Sequence, residues 1–447
     1  MKIGYIGLTK ASWKTPRISA LMSAALESLR KLSAEIIHAP DLTVTEAEAA
    51  ALAEKFKHEG ADLIVMHFAT FPLGAMIPAV AAGTDAPIIL FANPEKPAPG
   101  GVWEQNSFCG ANMAAHVLNK LGKKYSFAWG RPEDAAEVIA SAVKTQGCVK
   151  FLAGARVGVA GGRAPGFYTS NFDELRLRSA LGVTAEIIDL LEIVHAAEKI
   201  SGADAESARA RLRKSAADVR DVAGGEISLA GNLLEAFLET VKKYSLDALA
   251  VRCWPEFSDI FGVAPCASIG ALNDSGVAAA CEGDALGSVT MLIQKYLASG
   301  PAPFFADLIS FDYDANTGLL WHCGAAPASL CRNFKETTLR RHMRVDGGDK
   351  KGVTNDFPLR PGRITLAKLD EGKDSYRMLI AAGTALDTEP FIRGNPLNVR
   401  FDGDMRELVD TVMRKGFEHH YCAVHADIKK ELLSFCETKN IESVIIE

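Results

Sequence analysis

Glu282, Asp307 and His322 each stand at the end of a short apolar run, and a late segment adds His419, His420 and His425. Two carboxylates with an imidazole form a hard, oxygen-rich ligand set. Such a set suits Mn2+ or Mg2+ better than structural zinc and leaves positions open for water or substrate. No H-E-x-x-H pattern of a catalytic zinc site is present. Each residue also has a plainer reading. In the Glu282-Gly283-Asp284 turn, Asp284 is expected to cap the following helix by accepting backbone N–H bonds, which leaves Glu282 for chemistry. A structural ion pair would compensate a buried Asp307 as well as a metal would. His322, after Leu-Leu-Trp, reads on its own as a core histidine. On a regular strand His419 and His425 share one face and His420 the other, so one or two of them can act.

Two other groups carry weaker signals. Gly161-Gly-Arg163-Ala-Pro-Gly166 falls where a strand passes to a helix, so its amides and Arg163 could hold an anion, although a tight turn that needs glycine is the commoner explanation. It lacks G-x-G-x-x-G and a P-loop ending, which disfavours NAD and ATP. Cys281 and Cys323 flank candidate ligands and suggest a two-thiol proton shuttle; buried cysteines acting as small hydrophobes are the commoner case.

The elements that must position these residues alternate strand and helix. Lys2 to Leu8, Leu63 to Phe68, Pro87 to Phe91 and Tyr125 to Trp129 read as buried strands between helical runs, one opened by the capping box Thr45-x-x-Glu48 and ended at Gly60. The pattern restarts at Arg156 to Ala160 and continues through Ala185 to Leu190, a helix over Ala203 to Val222, another over Leu229 to Lys243, a strand at Ala248 to Arg252, and Val277 to Cys281 with its helix to Leu297. Beyond Gly300 helical periodicity fades and short β-type runs dominate, with Gly347 to Gly352 as a loop. Three domains are expected: 1–152 and 153–299 as α/β units, the second carrying Glu282, and a β-rich 300–447 carrying Asp307, His322 and His420.

Composition narrows the class. At 447 residues, two or three cores are expected. A net charge of −6 without a long basic run argues against nucleic acid as a partner. Nine cysteines with no C-x-x-C pair argue against a disulfide framework and for a reducing cytoplasm. No 18-residue apolar segment occurs, so a soluble protein independent of membranes is expected.

The Cys281-Glu282-Gly283-Asp284 turn with its long helix, Pro303-Phe-Phe-Ala-Asp307, Leu320-Trp-His322-Cys-Gly324 and Glu418-His-His420 together resemble the metal-site segments of the L-fucose and L-arabinose isomerases. The 25 positions from Glu282 to Asp307 are close to the spacing between that family's acidic ligands. The resemblance implies two Rossmann-like parallel α/β domains followed by a β-rich, barrel-like C-terminal domain. It implies an aldose–ketose isomerase in which Glu282 and Asp307 are both metal ligands and the acid/base pair, working through a metal-bound cis-enediol or, to the same product, a hydride shift. His420 would be the imidazole ligand, His322 matches a further histidine of the arabinose branch, and the ion would be Mn2+, with Mg2+ or Co2+ as alternatives. A homo-oligomer, trimer or hexamer, would complete each site with a neighbour's first domain. The chain is shorter than fucose isomerases, which leaves the monosaccharide open. Arg163, Arg252, Trp254 and His425 are the substrate-binding candidates, and the two arginines would suit an anionic sugar. The competing readings are a non-catalytic sugar-binding or sensory protein and the thiol racemase.

Overall fold

Runs that are apolar at every position can be strands only if both faces are covered, which is what helices on either side of a parallel sheet provide. The computed structural model, which describes residues 1–96, 99–343 and 351–447, has this arrangement at its start. The chain divides into two units, Met1–Gly147 and Cys148–Glu447. In the first, β1 (Lys2–Leu8), β2 (Glu35–His38), β3 (Leu63–Phe68), β4 (Ile88–Ala92) and β5 (Tyr125–Trp129) pair in parallel in the order β2-β1-β3-β4-β5. Alternate β3 residues serve two cores: Ile64, Met66 and Phe68 pack on one face, Leu63 and Val65 on the other. The expected capping box forms, with Thr45 Oγ1 accepting from Glu48 N at 3.2 Å and Glu48 from Thr45 N at 3.1 Å, and Gly60 ends the helix at φ 70°.

His67 of β3 is fully buried between Tyr5 Oη, 2.6 Å from Nδ1, and Asn93 Oδ1, 2.7 Å from Nε2. A neutral ring satisfies both partners, and burial draws the imidazole down to about 4. Because that lies below the ordinary value of ~6.5, the unfolded chain binds the extra proton between the two. The stabilisation is therefore complete above about pH 6.5 and lost as pH falls toward 4, to a total of about 3 kcal/mol. Wild type should lose denaturation midpoint between about pH 7 and pH 5, and His67→Gln should flatten that dependence. A wild-type midpoint constant over the range would contradict the assignment.

The second unit supplies β6 (Arg156–Ala160), β7 (Thr184–Ile188), β8 (Asp218–Arg220), β9 (Ala248–Val251), β10 (Ala278–Ala280), β11 (Phe304–Asp312), β12 (Thr317–His322), β13 (Thr338–Arg341), β14 (Val353–Asp356), β15 (Gly362–Glu371), β16 (Tyr376–Ala385), β17 (Asn395–Phe401), β18 (His420–Val424) and β19 (Glu442–Ile446). A parallel sheet runs β10-β9-β6-β7, and its glycine-bearing loops leave from the carboxyl ends. The later strands are largely antiparallel: β15-β18-β11-β12-β17-β16, with β16 also pairing β15, so the pairings return to the first strand, and β19 adds in parallel to β16. The helix Ala285–Leu297 packs against both sheets. Its residue Gln294 is buried and donates from Nε2 to the carbonyls of Thr365 (3.2 Å) and Cys422 (2.8 Å).

Two local expectations change. The helix expected over Ala203 to Val222 stops at Lys214, and Asp218–Arg220 becomes β8, paired in parallel with β13. The partner lies more than a hundred residues away, so local periodicity carries no trace of it. The strand expected to reach Leu190 ends at Ile188, and Asp189 caps a helix, Leu190–Lys199, through its side chain. Of the expected loop Gly347 to Gly352, all but Lys351 and Gly352 lies outside the described residues. All nine cysteines are free thiols. Among the described residues no helix is long and apolar enough to cross a membrane.

Candidate active site

The carboxyl ends of β9 and β10 place the first carboxylate. After β10 the chain turns sharply through Glu282 (φ 60°) and Gly283 (φ 69°), both left-handed. Gly283 N donates to the Val251 carbonyl at 3.0 Å, and Ala164 N donates to the Glu282 carbonyl at 3.4 Å, so the Gly161–Gly166 loop lies directly behind the turn. A Cβ on Gly283 would collide with the Gly162 carbonyl. Left-handed geometry and backbone contact both demand glycine. Gly283→Ala should cost about 2–4 kcal/mol and shift Glu282; a denaturation midpoint equal to wild type would show that the turn relaxes without cost.

The second carboxylate comes from β11, which lies between β12 and β18. Asp307 is directly opposite Trp321 on one side and His420 on the other, so these three side chains leave the sheet on one face. Phe305 packs between the histidines, its ring centroid 4.6 Å from His420 and 5.5 Å from His322. His419 precedes β18 rather than belonging to it. The strand alternation expected to separate His419 from His420 therefore does not apply: their ring centroids are 4.0 Å apart, and Glu282, His419 and His420 each offer a ligand atom within 4.8 Å of the others.

A chain of buried charges holds this group. Lys368 Nζ, from the middle of β15, contacts Asp284 Oδ2 at 2.5 Å and Glu418 Oε1 at 2.8 Å, and all three side chains are at most 3% exposed. Asp284 caps its helix, as expected, accepting from Gly287 N at 2.6 Å, but it does more: Oδ2 also lies 3.1 Å from His420 Nδ1. His420 Nε2 then faces Glu282 Oε2 at 2.8 Å and Asp307 Oδ1 at 3.8 Å. Burial opposes charge on His420, but the bonds to Asp284 and Glu282 prevail and lift it to about 10. Burial likewise opposes charge on Asp284, yet Lys368 and His420 hold it well below the usual carboxylate range. Burial and the neighbouring charge of Asp284 push Glu418 up to about 8. Asp307 rises to about 6, through burial first and the charge of Glu282 in addition.

Glu282, Asp307 and His322 line one cavity of about 210 Å3 with Trp254, Trp321, Phe167, His419 and three thiols. That is small beside the ~300–1,000 Å3 of drug-sized sites and suits a monosaccharide. Phe167 meets Trp254 edge-on at 5.5 Å, forming an aromatic wall. Of the other sequence candidates, Trp254 lines the cavity and the two arginines do not: Arg163 stacks over Tyr168 at 4.8 Å on the loop behind Glu282, and Arg252 is held by Glu256 at 2.7 Å. His425 is not brought to the cavity; its Nε2 is 2.8 Å from the Arg360 carbonyl. Lys368, Phe167 and Trp321 carry no role in the sequence reading, nor does Glu418 beyond its place beside the histidines, whereas His419 is one of its three candidate imidazoles. A signal existed for Lys368, a lone cation inside the run Ile364-Thr-Leu-Ala-Lys-Leu369, because a lysine buried on a strand needs anions around it.

The donor set fits a divalent cation. Two carboxylates and an imidazole converge, Asp284 orients the imidazole through its other nitrogen as an outer-shell partner would, and the buried Asp307 Oδ1 has no hydrogen-bond partner among the described residues. A cation between Asp307 and Glu282 would satisfy that oxygen and offset the burial of both carboxylates.

Two family models match the chain: the fucose/sulfoquinovose isomerase N-terminal domain over residues 10–159 and the L-fucose isomerase C-terminal domain over residues 320–447. Among curated relatives, the sulfoquinovose isomerase of Alkalicoccus urumqiensis is 31% identical over 395 residues, covering 86% of each chain. That of Priestia aryabhattai is 29% identical over 412 residues, covering 91% of each. Among solved structures, an ABC transporter periplasmic solute binding protein from Actinobacillus succinogenes 130z with bound D-allose aligns over 66% of this chain and 91% of its own, at 11% identity and a TM-score of 0.18, a likeness too slight to bear on fold or site.

Proposed function

The chain belongs to the fucose/sulfoquinovose isomerase family and is an aldose–ketose isomerase, and from that premise we propose that Glu282, Asp307 and His420 hold a divalent cation, Mn2+ foremost, with the two carboxylates as the acid/base pair. The observation that carries this reading is the placement of Asp307 and His420 opposite each other on paired strands, with Glu282 2.8 Å from the same imidazole.

When bound, the cation supplies Lewis-acid polarisation of adjacent sugar oxygens. The side chains handle the protons. One carboxylate removes the proton from C2 of the open-chain aldose and returns it to C1, while the other moves the hydroxyl proton from O2 to O1 through a cis-enediol. No atom is gained or lost, and the product is the 2-ketose. Asp284 fixes the His420 ring through Nδ1, so Nε2 is presented to Glu282 and Asp307. Trp254, Phe167 and Trp321 exclude water from one side of the sugar. His322, in the same cavity, is a candidate for a further ligand or a substrate contact.

The substrate we propose is an anionic sugar of the sulfoquinovose type, as the names of the relatives suggest. Arg163, on the loop behind Glu282, is the better cation for its acidic group, because Arg252 is engaged by Glu256. We further read residues 153–299 and 300–447 as separate domains, with the later strands closing into a barrel and the site where the two meet.

The test is NMR of sulfoquinovose, fucose, arabinose and glucose with the purified enzyme, metal-stripped and then resupplied with Mn2+. Ketose should form from the anionic sugar above the others, be lost on stripping and be restored by Mn2+. Turnover that survives complete metal removal would overturn the metal reading, and a preference for a neutral sugar would overturn the substrate.

A further inference from the structure

Cys266, Cys323 and His342 form a second convergent group that isomerisation leaves unused. One ligand atom from each lies within 4.8 Å of the others, and the Sγ atoms of Cys266 and Cys323 are 3.9 Å apart. The three come from separate parts of the fold. Cys266 opens the helix Cys266–Asp274, Cys323 directly follows β12, and His342 directly follows β13. All three line the cavity that holds Glu282 and Asp307.

Their chemistry differs from that of the neighbouring carboxylates. Two sulfurs and an imidazole are a soft set that selects zinc-like ions over Mn2+ or Mg2+. His342 Nδ1 is 2.5 Å from the Met343 carbonyl oxygen, an arrangement in which Nδ1–H donates and Nε2 keeps the lone pair. A backbone carbonyl orienting the far nitrogen in this way is the usual support of a metal-ligating histidine. Three protein ligands facing a cavity leave a fourth position toward the sugar.

We propose that Cys266, Cys323 and His342 form a second cation site, selective for a thiophilic divalent ion of the Zn2+ class, and that an ion there inhibits the enzyme by occupying space the substrate needs. Binding is independent of the isomerase reading; the inhibition rests on it.

Cd2+ alone is the probe, titrated into the full chain after metal stripping, with the ultraviolet thiolate-to-cadmium charge-transfer band as readout. The carboxylate site has no sulfur and cannot give this band. One equivalent per chain should bind, be displaced by Zn2+, and weaken in Cys266→Ser and Cys323→Ser by more than the roughly 10–100-fold that loss of an outer-shell partner costs. Cys253→Ser, which alters another thiol of the same cavity, should retain the band. Should a cysteine variant fail to fold by circular dichroism, His342→Ala, on a half-buried side chain, serves in its place. Absence of the band, its persistence at full affinity in the folded ligand variants, or its loss only with Cys253 would overturn the site. In Mn2+-loaded enzyme, Zn2+ should inhibit turnover, with the inhibition midpoint moving at least about tenfold in His342→Ala. Cd2+ binding without Zn2+ inhibition would overturn the inhibitory role alone.

Discussion

Glu282→Gln and Asp307→Asn are each expected to lower kcat by roughly 10³-fold or more, the scale of a lost general acid or base compounded by a lost ligand. Both replacements keep the shape of the side chain and remove only its charge. In the metal-free chain the charge on Asp307 is costly: its Oδ1 is buried without a hydrogen-bond partner among the described residues, and the nearby Glu282 carboxylate adds repulsion. Asp307→Asn should therefore leave the metal-free midpoint unchanged or raise it while turnover collapses, as expected where a functional site carries strain. Rates by NMR beside thermal melts of the stripped proteins would check both halves. Near wild-type turnover in either variant would remove that residue from the mechanism.

Lys368→Met should be the most damaging single change to stability. Lys368 is fully buried, and its two partners, Asp284 and Glu418, are nearly so. Removing it leaves Asp284 with His420 as its remaining cationic partner and takes the cation away from Glu418, at a cost of about 3–5 kcal/mol. Part of that should return in Lys368→Met with Glu418→Gln, which removes the second buried carboxyl from beside Asp284. The damage should extend to the site, because Asp284 holds both Lys368 and the His420 ring. Mn2+ affinity should fall by roughly 10–100-fold, as for loss of an outer-shell partner. Urea denaturation of the single and double variants would decide; a loss below about 1 kcal/mol in Lys368→Met would contradict the picture of a buried charge network.

Much of the scaffold was legible because it is local. Apolar strands, the Thr45 capping box and the turn at Glu282 announce themselves within a few residues, and Glu282 falls where such a turn leaves a parallel sheet. What was not legible is long-range. β8 is a strand only because β13 lies beside it, and His419, a candidate in the sequence, lies next to His420 rather than on the opposite face because β18 begins one residue later. Asp284 shows the same limit from the other direction. Its role as a cap is visible in four residues of sequence, whereas its hold on His420 and Lys368 spans 136 and 84 positions. His425 illustrates the converse error, since proximity in sequence to His420 suggested a shared site and the ring instead bonds the Arg360 carbonyl.

The central claim is that Glu282, Asp307 and His420 together hold one divalent ion. Equilibrium binding of Mn2+ to the metal-stripped chain, read from the electron paramagnetic resonance of free Mn2+, tests it without recourse to turnover. One tight site per chain is expected, weakened well beyond tenfold in each of Glu282→Gln, Asp307→Asn and His420→Ala, and unaffected in Cys266→Ser. Mn2+ affinity unchanged in all three ligand variants would contradict it.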